Sequence, residues 1–331
     1  MLMKEIVSDF KCFIRRLSSR RTGTHPDGDI MIFSTARSGS TWVKEVIASQ
    51  QNIKFVSEPL LMESLTRRQL GVDPSWGLTI PSRGREQILK NYFQRQFSGS
   101  CGYGSPSFKS EFYRKRYDRV VLKLLRCQDM MNWCADQFGV KVVYLLRHPV
   151  PVALSRKEYK RLPMFLESDE FRERYLSDAQ HAFALDVVSD GTALEHKILD
   201  WCLQNLAPLK HLDSSRWLTL YYEDIVMTPE QQLEQLSAYL NLEDVDSALA
   251  RINQASSTTY KSDAETQAVL SGEEDLGKRR SFLVNKWLSR VNETEQAQVQ
   301  AIFDQFEIDV YRTDAAMPVV RMNSEAIACG H

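Results

Sequence analysis

Asp29-Ile-Met-Ile-Phe-Ser34 runs directly into Thr35-Ala-Arg-Ser-Gly-Ser-Thr-Trp42, and the architecture can be read outward from this junction. Four apolar residues between polar ones predict a short buried strand. A loop of hydroxyls with a single glycine follows, and then Trp42, Val43, Val46 and Ile47 recur at helical spacing. The same order of strand, loop and helix returns at Arg119-Val-Val-Leu-Lys-Leu-Leu125, before a helix from about Gln128. It returns again at Lys141-Val-Val-Tyr-Leu-Leu146, before a helix beginning near Pro149. Shorter strands are expected at Ile53-Lys-Phe-Val56 and at Trp217-Leu-Thr-Leu-Tyr221, the latter followed by a helix through Leu240 in which Pro229 falls early. Repeated strand-then-helix units imply an α/β fold with an open, mostly parallel sheet. Ligands of such sheets collect beyond the carboxyl ends of the strands, here just after residues 34, 56, 125, 146 and 221.

Outward from that core, residues 1–28 read as an N-terminal amphipathic helix and linker, 29–315 as one α/β domain, and 316–331 as a C-terminal tail. Helical or loop insertions are expected at about 83–117 and 157–213. The first holds Phe93, Phe97, Tyr103, Phe108, Phe112, Tyr113 and Tyr117 among Arg and Lys, suited either to shaping a second ligand's pocket or to plain structural cover. Ser256 to Ser281 is polar and ends in Gly277-Lys-Arg-Arg280, the pattern of a mobile surface loop.

The chain has 331 residues, 43% hydrophobic and 26% charged, which excludes disordered, collagen-like and disulfide-scaffold classes. Forty-two basic against 43 acidic side chains leave a net charge of −1, against a broad nucleic-acid-binding surface but compatible with a local pocket for a small anion. Cys12, Cys101, Cys127, Cys134, Cys202 and Cys329 form no CxxC pair, and no His stands at zinc-finger spacing, so reduced thiols in an intracellular protein are the expectation. No apolar run is long enough to span a bilayer, and the charged N-terminus is not a signal peptide, so the expected location is cytoplasmic. In residues 2–21, Leu2, Ile6, Phe10, Phe13, Ile14 and Leu17 recur at helical spacing beside Lys4, Lys11, Arg15, Arg16, Arg20 and Arg21. Such a helix either packs its stripe on the domain's own surface, the reading favoured here, or lies on an anionic membrane.

Two stretches carry chemistry. In Arg37-Ser-Gly-Ser-Thr-Trp42, Gly39 permits close backbone approach and Ser38, Ser40 and Thr41 offer hydroxyls, so this helix start is either a phosphate site built on its amides or a set of plain helix caps. The GxxxxGK[ST] spacing of a nucleoside triphosphate loop is absent, and Arg37 supplies the cation a Lys would supply there. GxSxG is also absent, which disfavours a nucleophile elbow. In Leu145-Leu-Arg-His-Pro-Val-Pro-Val-Ala-Leu-Ser155, Arg147 leaves a strand tip and Ser155 lies about two turns into the next helix, so either both reach one anion or Arg147 pairs with a carboxylate and Ser155 is idle.

Together, in this order and separation, the two stretches resemble the sulfotransferases that use 3′-phosphoadenosine 5′-phosphosulfate (PAPS), most of all the carbohydrate and bacterial glycolipid type with Arg in the first loop. The resemblance implies a P-loop-like three-layer α/β fold and sulfuryl transfer to an acceptor hydroxyl, with adenosine 3′,5′-bisphosphate as product. It implies that Arg37, Ser38, Gly39, Ser40, Thr41 and Trp42 hold the 5′ phosphosulfate and that Arg147 and Ser155 hold the 3′ phosphate. Leu220-Tyr-Tyr-Glu-Asp-Ile225 is similar to the family's YED segment, whose Tyr lies near adenine, a role that falls on Tyr222. A basic loop late in the family's chain corresponds to Lys278, Arg279 and Arg280, as a clamp on the 3′ phosphate or as a solvated turn.

The cytosolic branch carries a catalytic His just after a Lys on the strand that corresponds to Arg119–Leu125. Here Lys123 is present, but the position two beyond it is Leu125, which takes no proton. The second strand instead ends in Val56-Ser-Glu-Pro59, like the segment at which the carbohydrate type places its base, and Glu58 is the candidate. Burial there is expected to raise its pKa, and the competing reading is a simple ion pair with Arg37 or another cation. Transition-state charge falls on Arg37, the loop amides and Lys123. Sulfuryl carries less charge than phosphoryl, so no metal is expected. His25, His148, His181, His196, His211 and His331 lack metal spacing, and His148 is expected to be a loop residue near the cofactor. The partner is a small-molecule, glycan or glycolipid hydroxyl, not a nucleic acid. A nucleotide kinase or a non-catalytic nucleotide-binding module is the alternative.

Overall fold

The computed structural model describes residues 2–60, 86–156, 162–252, 254 and 276–322. The chain forms two compact units. One comprises Met1–Ser34, Ser40–Val143 and Gln235–Gln254, the other Thr35–Gly39, Tyr144–Glu234 and Ala255–His331.

The first unit opens with α1 (Leu2–Ser18) and β1 (Arg20–Arg21), followed by β2 (Ile30–Ser34), α2 (Ser40–Ile47) and β3 (Ile53–Ser57). After the helix Glu86–Phe97 come β4 (Arg116–Tyr117) and β5 (Arg119–Leu124), then a 3₁₀ turn Gln128–Met130, the helix Met131–Phe138 and β6 (Lys141–Leu146). Every residue of β2 and β5 is buried, as strands of a parallel sheet covered on both faces must be, which is why Ile30–Phe33 reads as an apolar run and β5 is apolar apart from Arg119 and Lys123. β5 pairs in parallel with β2 (Ile30 opposite Val121) and with β3 (Ser57 opposite Lys123). With β7 (Leu218–Tyr221) the strand order is β3-β5-β2-β6-β7, and β6 passes from the first unit to the second after Val143. Arg119 is buried at the start of β5 because Gly28 and Leu240 carbonyls accept its guanidinium hydrogens at 2.6 Å.

In the described part of the first insertion most rings are structural cover. Phe93 and Phe97 pack on Phe138 at 5.8 and 5.4 Å, and Phe112 packs edge-on against Phe55 at 5.8 Å. For α1 the favoured expectation is reversed. The buried side chain on its described portion is Cys12, whereas Phe10, Phe13 and Leu17 are 63, 47 and 64% exposed. These three stripe residues face away from the unit.

In the second unit the helix Pro149–Ser155 follows β6, and the described part of the second insertion is helical, over Leu162–Leu166, Asp169–Tyr175, Asp178–Asp190 and Ala193–Leu206. Ser177 with Gln180, and Thr192 with Glu195, close capping boxes that fix two of these starts. Ala193–Leu206 buries Ile198, Leu199, Trp201 and Leu203 as part of the unit's core. The single helix expected after β7 is two helices, Tyr222–Met227 and Pro229–Leu240, because proline lacks the amide hydrogen that would continue the first. Gly277-Lys-Arg-Arg280 is not loop but lies within the helix Leu276–Asn285. The rest of the expected loop, 256–275, lies outside the described residues, as do residues 83–85 and 157–161 of the two insertions and the tail from 323, with Cys329 and His331.

Candidate active site

The loop Thr35–Gly39 is held from below by Arg156. Its guanidinium donates to the Ala36 carbonyl at 3.3 and 3.4 Å and pairs with buried Asp200 at 2.5 Å. Thr35 and Ser38 hydroxyls share a 2.6 Å hydrogen bond within the loop. Arg37 and Gly39 both take positive φ, 73° and 87°. A Cβ on Gly39 would stand 2.6 Å from the Tyr222 ring, so glycine is required here on both conformational and steric grounds. The Arg37 side chain is exposed, while its carbonyl accepts a 2.9 Å hydrogen bond from Arg147 Nη1. The Arg147 guanidinium also lies over the Tyr222 ring, 3.9 Å from its centroid. Arg37, Gly39, Arg147 and Tyr222, drawn from three separate motifs, are thus one cluster.

His148 is not a loop residue open to a ligand. Its Nδ1 accepts from the Val150 amide at 3.2 Å as the cap of Pro149–Ser155, and its Nε2 donates to the Arg312 carbonyl at 3.0 Å. The ring is buried and stacks on Trp287 at 4.3 Å. That bonding pattern needs the neutral tautomer, and burial pushes the imidazole pKa down to about 3. Beside it, Glu223 is buried and accepts from the His148 amide and the Tyr311 hydroxyl, each at 2.9 Å. Desolvation pushes its carboxyl up to about 7, against those hydrogen bonds.

In the first unit, Ser40, Thr41 and Trp42 begin α2, with Ser40 buried and Thr41 and Trp42 half-buried. Parallel register puts Ser57 opposite Lys123, and Glu58 then leaves β3 at φ 50° while its amide donates to the Lys123 carbonyl at 2.7 Å. This turn brings the Glu58 carboxylate to 3.2 Å from the Lys123 ammonium, which lies 3.5 Å from the Thr41 hydroxyl. The ion pair weighed against a catalytic role therefore exists, with Lys123 as the cation. Lys123 is 5% and Glu58 31% exposed, so the acid keeps an open side. A shallow recess lined by Glu58, Pro59, Leu60, Leu124, Leu125 and Arg126 opens beside it.

Ser155 ends its helix exposed, its hydroxyl donating to the Val152 carbonyl at 2.9 Å. Lys278 is exposed, and Arg280 lies 3.6 Å from Glu230. Three residues given no role in the sequence matter to the geometry. Arg156 was signalled by its place directly after Ser155, and Glu223 by its place in the segment quoted for Tyr222. Lys44, one turn into α2, had no such signal. It is buried, 3.5 Å from the Ser57 hydroxyl and over the Phe55 ring at 3.9 Å, and burial followed by the nearby Lys123 charge lowers its pKa to about 8.

Arg147 Nε is buried and has no hydrogen-bond partner among the described residues, and a buried N–H of this kind beside the Arg37–Gly39 loop suits an anion. The chain is similar to the mouse sulfotransferase SULT7A1 complexed with PAP, at 16% identity over 91% of each chain with a TM-score of 0.46. It is also similar to the sulfotransferase domain of the Synechococcus PCC 7002 olefin synthase, at 17% identity over 88% of this chain and 98% of that one with a TM-score of 0.41. The sulfotransferase domain of the curacin biosynthetic pathway is 19% identical over 87% and 99%, with a TM-score of 0.41. Among curated protein sequences none matches. The profile of the sulfotransferase domain family matches residues 27–309, a span that contains both loops, the Glu58 and Lys123 strand ends and the Tyr222 segment, and the chain therefore belongs to that family.

Proposed function

We propose that this sulfotransferase takes its sulfuryl group from PAPS, releases adenosine 3′,5′-bisphosphate, and sulfates a hydroxyl on a carbohydrate or glycolipid, with Glu58 as general base. The observation that carries the reading is the Lys123 ammonium, 3.2 Å from the Glu58 carboxylate and 3.5 Å from the Thr41 hydroxyl at the end of the first loop. It ties the candidate base to the segment that handles the donor. PAPS supplies the sulfuryl group and a phosphate leaving group.

The chain's own residues supply position and charge. Arg37, Ser38, Gly39, Ser40, Thr41 and Trp42 hold the 5′ end, with the loop amides and Arg37 neutralising charge that grows in the transition state. Arg147 and Ser155 hold the 3′ phosphate, with Lys278, Arg279 and Arg280 as further cations. Ser155 reaches it by turning its hydroxyl away from Val152. Tyr222, already stacked on Arg147, flanks adenine. Glu58 orients the acceptor hydroxyl and takes its proton, and Lys123 keeps that carboxylate directed and offsets negative charge on the leaving oxygen. No step requires a metal ion. Among the described residues no helix is long and apolar enough to cross a membrane, and a cytoplasmic location is part of this proposal.

The experiment is a melting curve with adenosine 3′,5′-bisphosphate or with ATP plus Mg²⁺. At about a hundredfold excess over Kd, the bisphosphate is expected to stabilise the protein by ~2.7 kcal/mol. Stabilisation only by ATP plus Mg²⁺ would instead identify a kinase-like nucleotide site. Labelled donor offered with sugars, glycolipids, phenols and steroids then tests the acceptor class, and bisphosphate binding without transfer to any of them would mark a non-catalytic module.

A further inference from the structure

We infer that α1 is a membrane-docking helix whose apolar face lies on an anionic lipid bilayer. At 3.6 residues per turn, the apolar residues of Leu2–Ser18 occupy one unbroken sector of about 140°. Between Val7 and Ser18 the structure shows how that sector is used. Phe10, Phe13 and Leu17 are 63, 47 and 64% exposed and Val7 is also exposed, while Cys12, on the opposite side of the helix, is buried at 8%.

The helix is seated with that opposite side inward. The Cys12 carbonyl approaches Gly102 so closely that a Cβ there would stand 2.1 Å from it. Immediately beyond, the Tyr113 hydroxyl donates to the Ser18 carbonyl at 2.7 Å, and the Ser19 hydroxyl donates to the Arg114 carbonyl at 2.8 Å. These bonds fix the helix by its C-terminal end and leave Val7, Phe10, Phe13 and Leu17 outward, an arrangement that is costly in water unless something covers it.

Charge selects the covering surface. Residues 2–21 carry six basic side chains against Glu5 and Asp9, on a chain whose net charge is −1. Lys11, Arg16 and Arg20 are exposed, and Arg16 lies 5.3 Å over the Phe13 ring, at the border of the stripe. Cations bordering an apolar sector match the headgroup boundary of an anionic bilayer, with the rings among the acyl chains and the bases at the phosphates. A second copy of the helix would bring these like charges together, which disfavours self-association.

The test uses the full chain and vesicles of phosphatidylcholine, with and without phosphatidylserine, read by co-sedimentation. Binding to the anionic vesicles is expected to exceed binding to neutral ones by about tenfold or more and to weaken with salt. Phe10→Ser with Leu17→Ser, and separately Lys11→Glu with Arg16→Glu, are expected to abolish it while leaving the melting curve unchanged. Equal binding to both vesicle types, or unchanged binding by both variants, overturns the inference. So does a lipid-free dimer that Phe10→Ser with Leu17→Ser dissociates, which would make the occupant a second copy. None of these readouts depends on sulfuryl transfer, so the result stands apart from the proposed reaction.

Discussion

Arg147, at the tip of β6, donates a 2.9 Å hydrogen bond to the carbonyl of Arg37, in the loop after β2. Arg147→Ala is expected to weaken binding of adenosine 3′,5′-bisphosphate by about 2–4 kcal/mol, since both a loop brace and a phosphate cation are removed. Titration calorimetry checks it, and equal affinity in variant and parent removes Arg147 from the nucleotide site.

Glu58 and Lys123 form the other pair. Glu58→Gln keeps the side-chain shape but cannot take a proton, so turnover is expected to fall by about 10²–10⁴ while bisphosphate affinity hardly moves. Steady-state kinetics with the best acceptor, beside calorimetry, separates the two quantities. Full turnover in the variant would assign the base elsewhere.

Gly39 takes φ 87° with the Tyr222 ring 2.6 Å from where a Cβ would stand. Gly39→Ala is expected to cost roughly 1–3 kcal/mol of stability from backbone strain and ring displacement. Combining it with Tyr222→Ala should recover the steric share and leave the backbone share. Thermal unfolding of the single and double variants measures both, and a single variant as stable as the parent would show that neither the backbone nor the ring is strained by a Cβ there.

Glu223 and His148 give opposing pH dependences. Glu223, raised from 4.5 to about 7, contributes stability that is complete below pH 4.5 and is lost as pH rises through 7. His148, lowered from 6.5 to about 3, contributes stability that is present above pH 6.5 and is lost as pH falls toward 3. Between pH 4.5 and 6.5 the two slopes cancel. Glu223→Gln removes one of them, so stability of the variant is expected to rise with pH across that window by up to ~1.4 kcal/mol per unit relative to the parent. Denaturant titrations at several pH values read the slopes directly, and parallel curves for variant and parent would show that Glu223 does not titrate there.

The strands β2, β5 and β6, the glycine loop, and Arg147 at a strand end were all legible in the chain, because alternation of apolar runs with helical spacing encodes local geometry and burial. The sequence also located Glu58 and Lys123, each at or near the end of its strand. What remained hidden was partnership. That Lys123 meets Glu58 follows from the register of β3 on β5, and that Arg147 meets Arg37 follows from contacts between segments 110 residues apart. His148 was expected as a loop residue near the cofactor, and its ring is buried against Trp287 and Tyr311, from distant parts of the chain.

The same division explains α1. Its apolar sector is written in the order of its residues, since helical periodicity is a local property. Which way that sector points was set by folding alone, through bonds from Ser18 and Ser19 to the segment Tyr113–Arg114. Sequence specifies which surfaces are apolar or charged, and tertiary packing specifies which of them meet, because the meeting depends on long-range contacts that no local pattern contains.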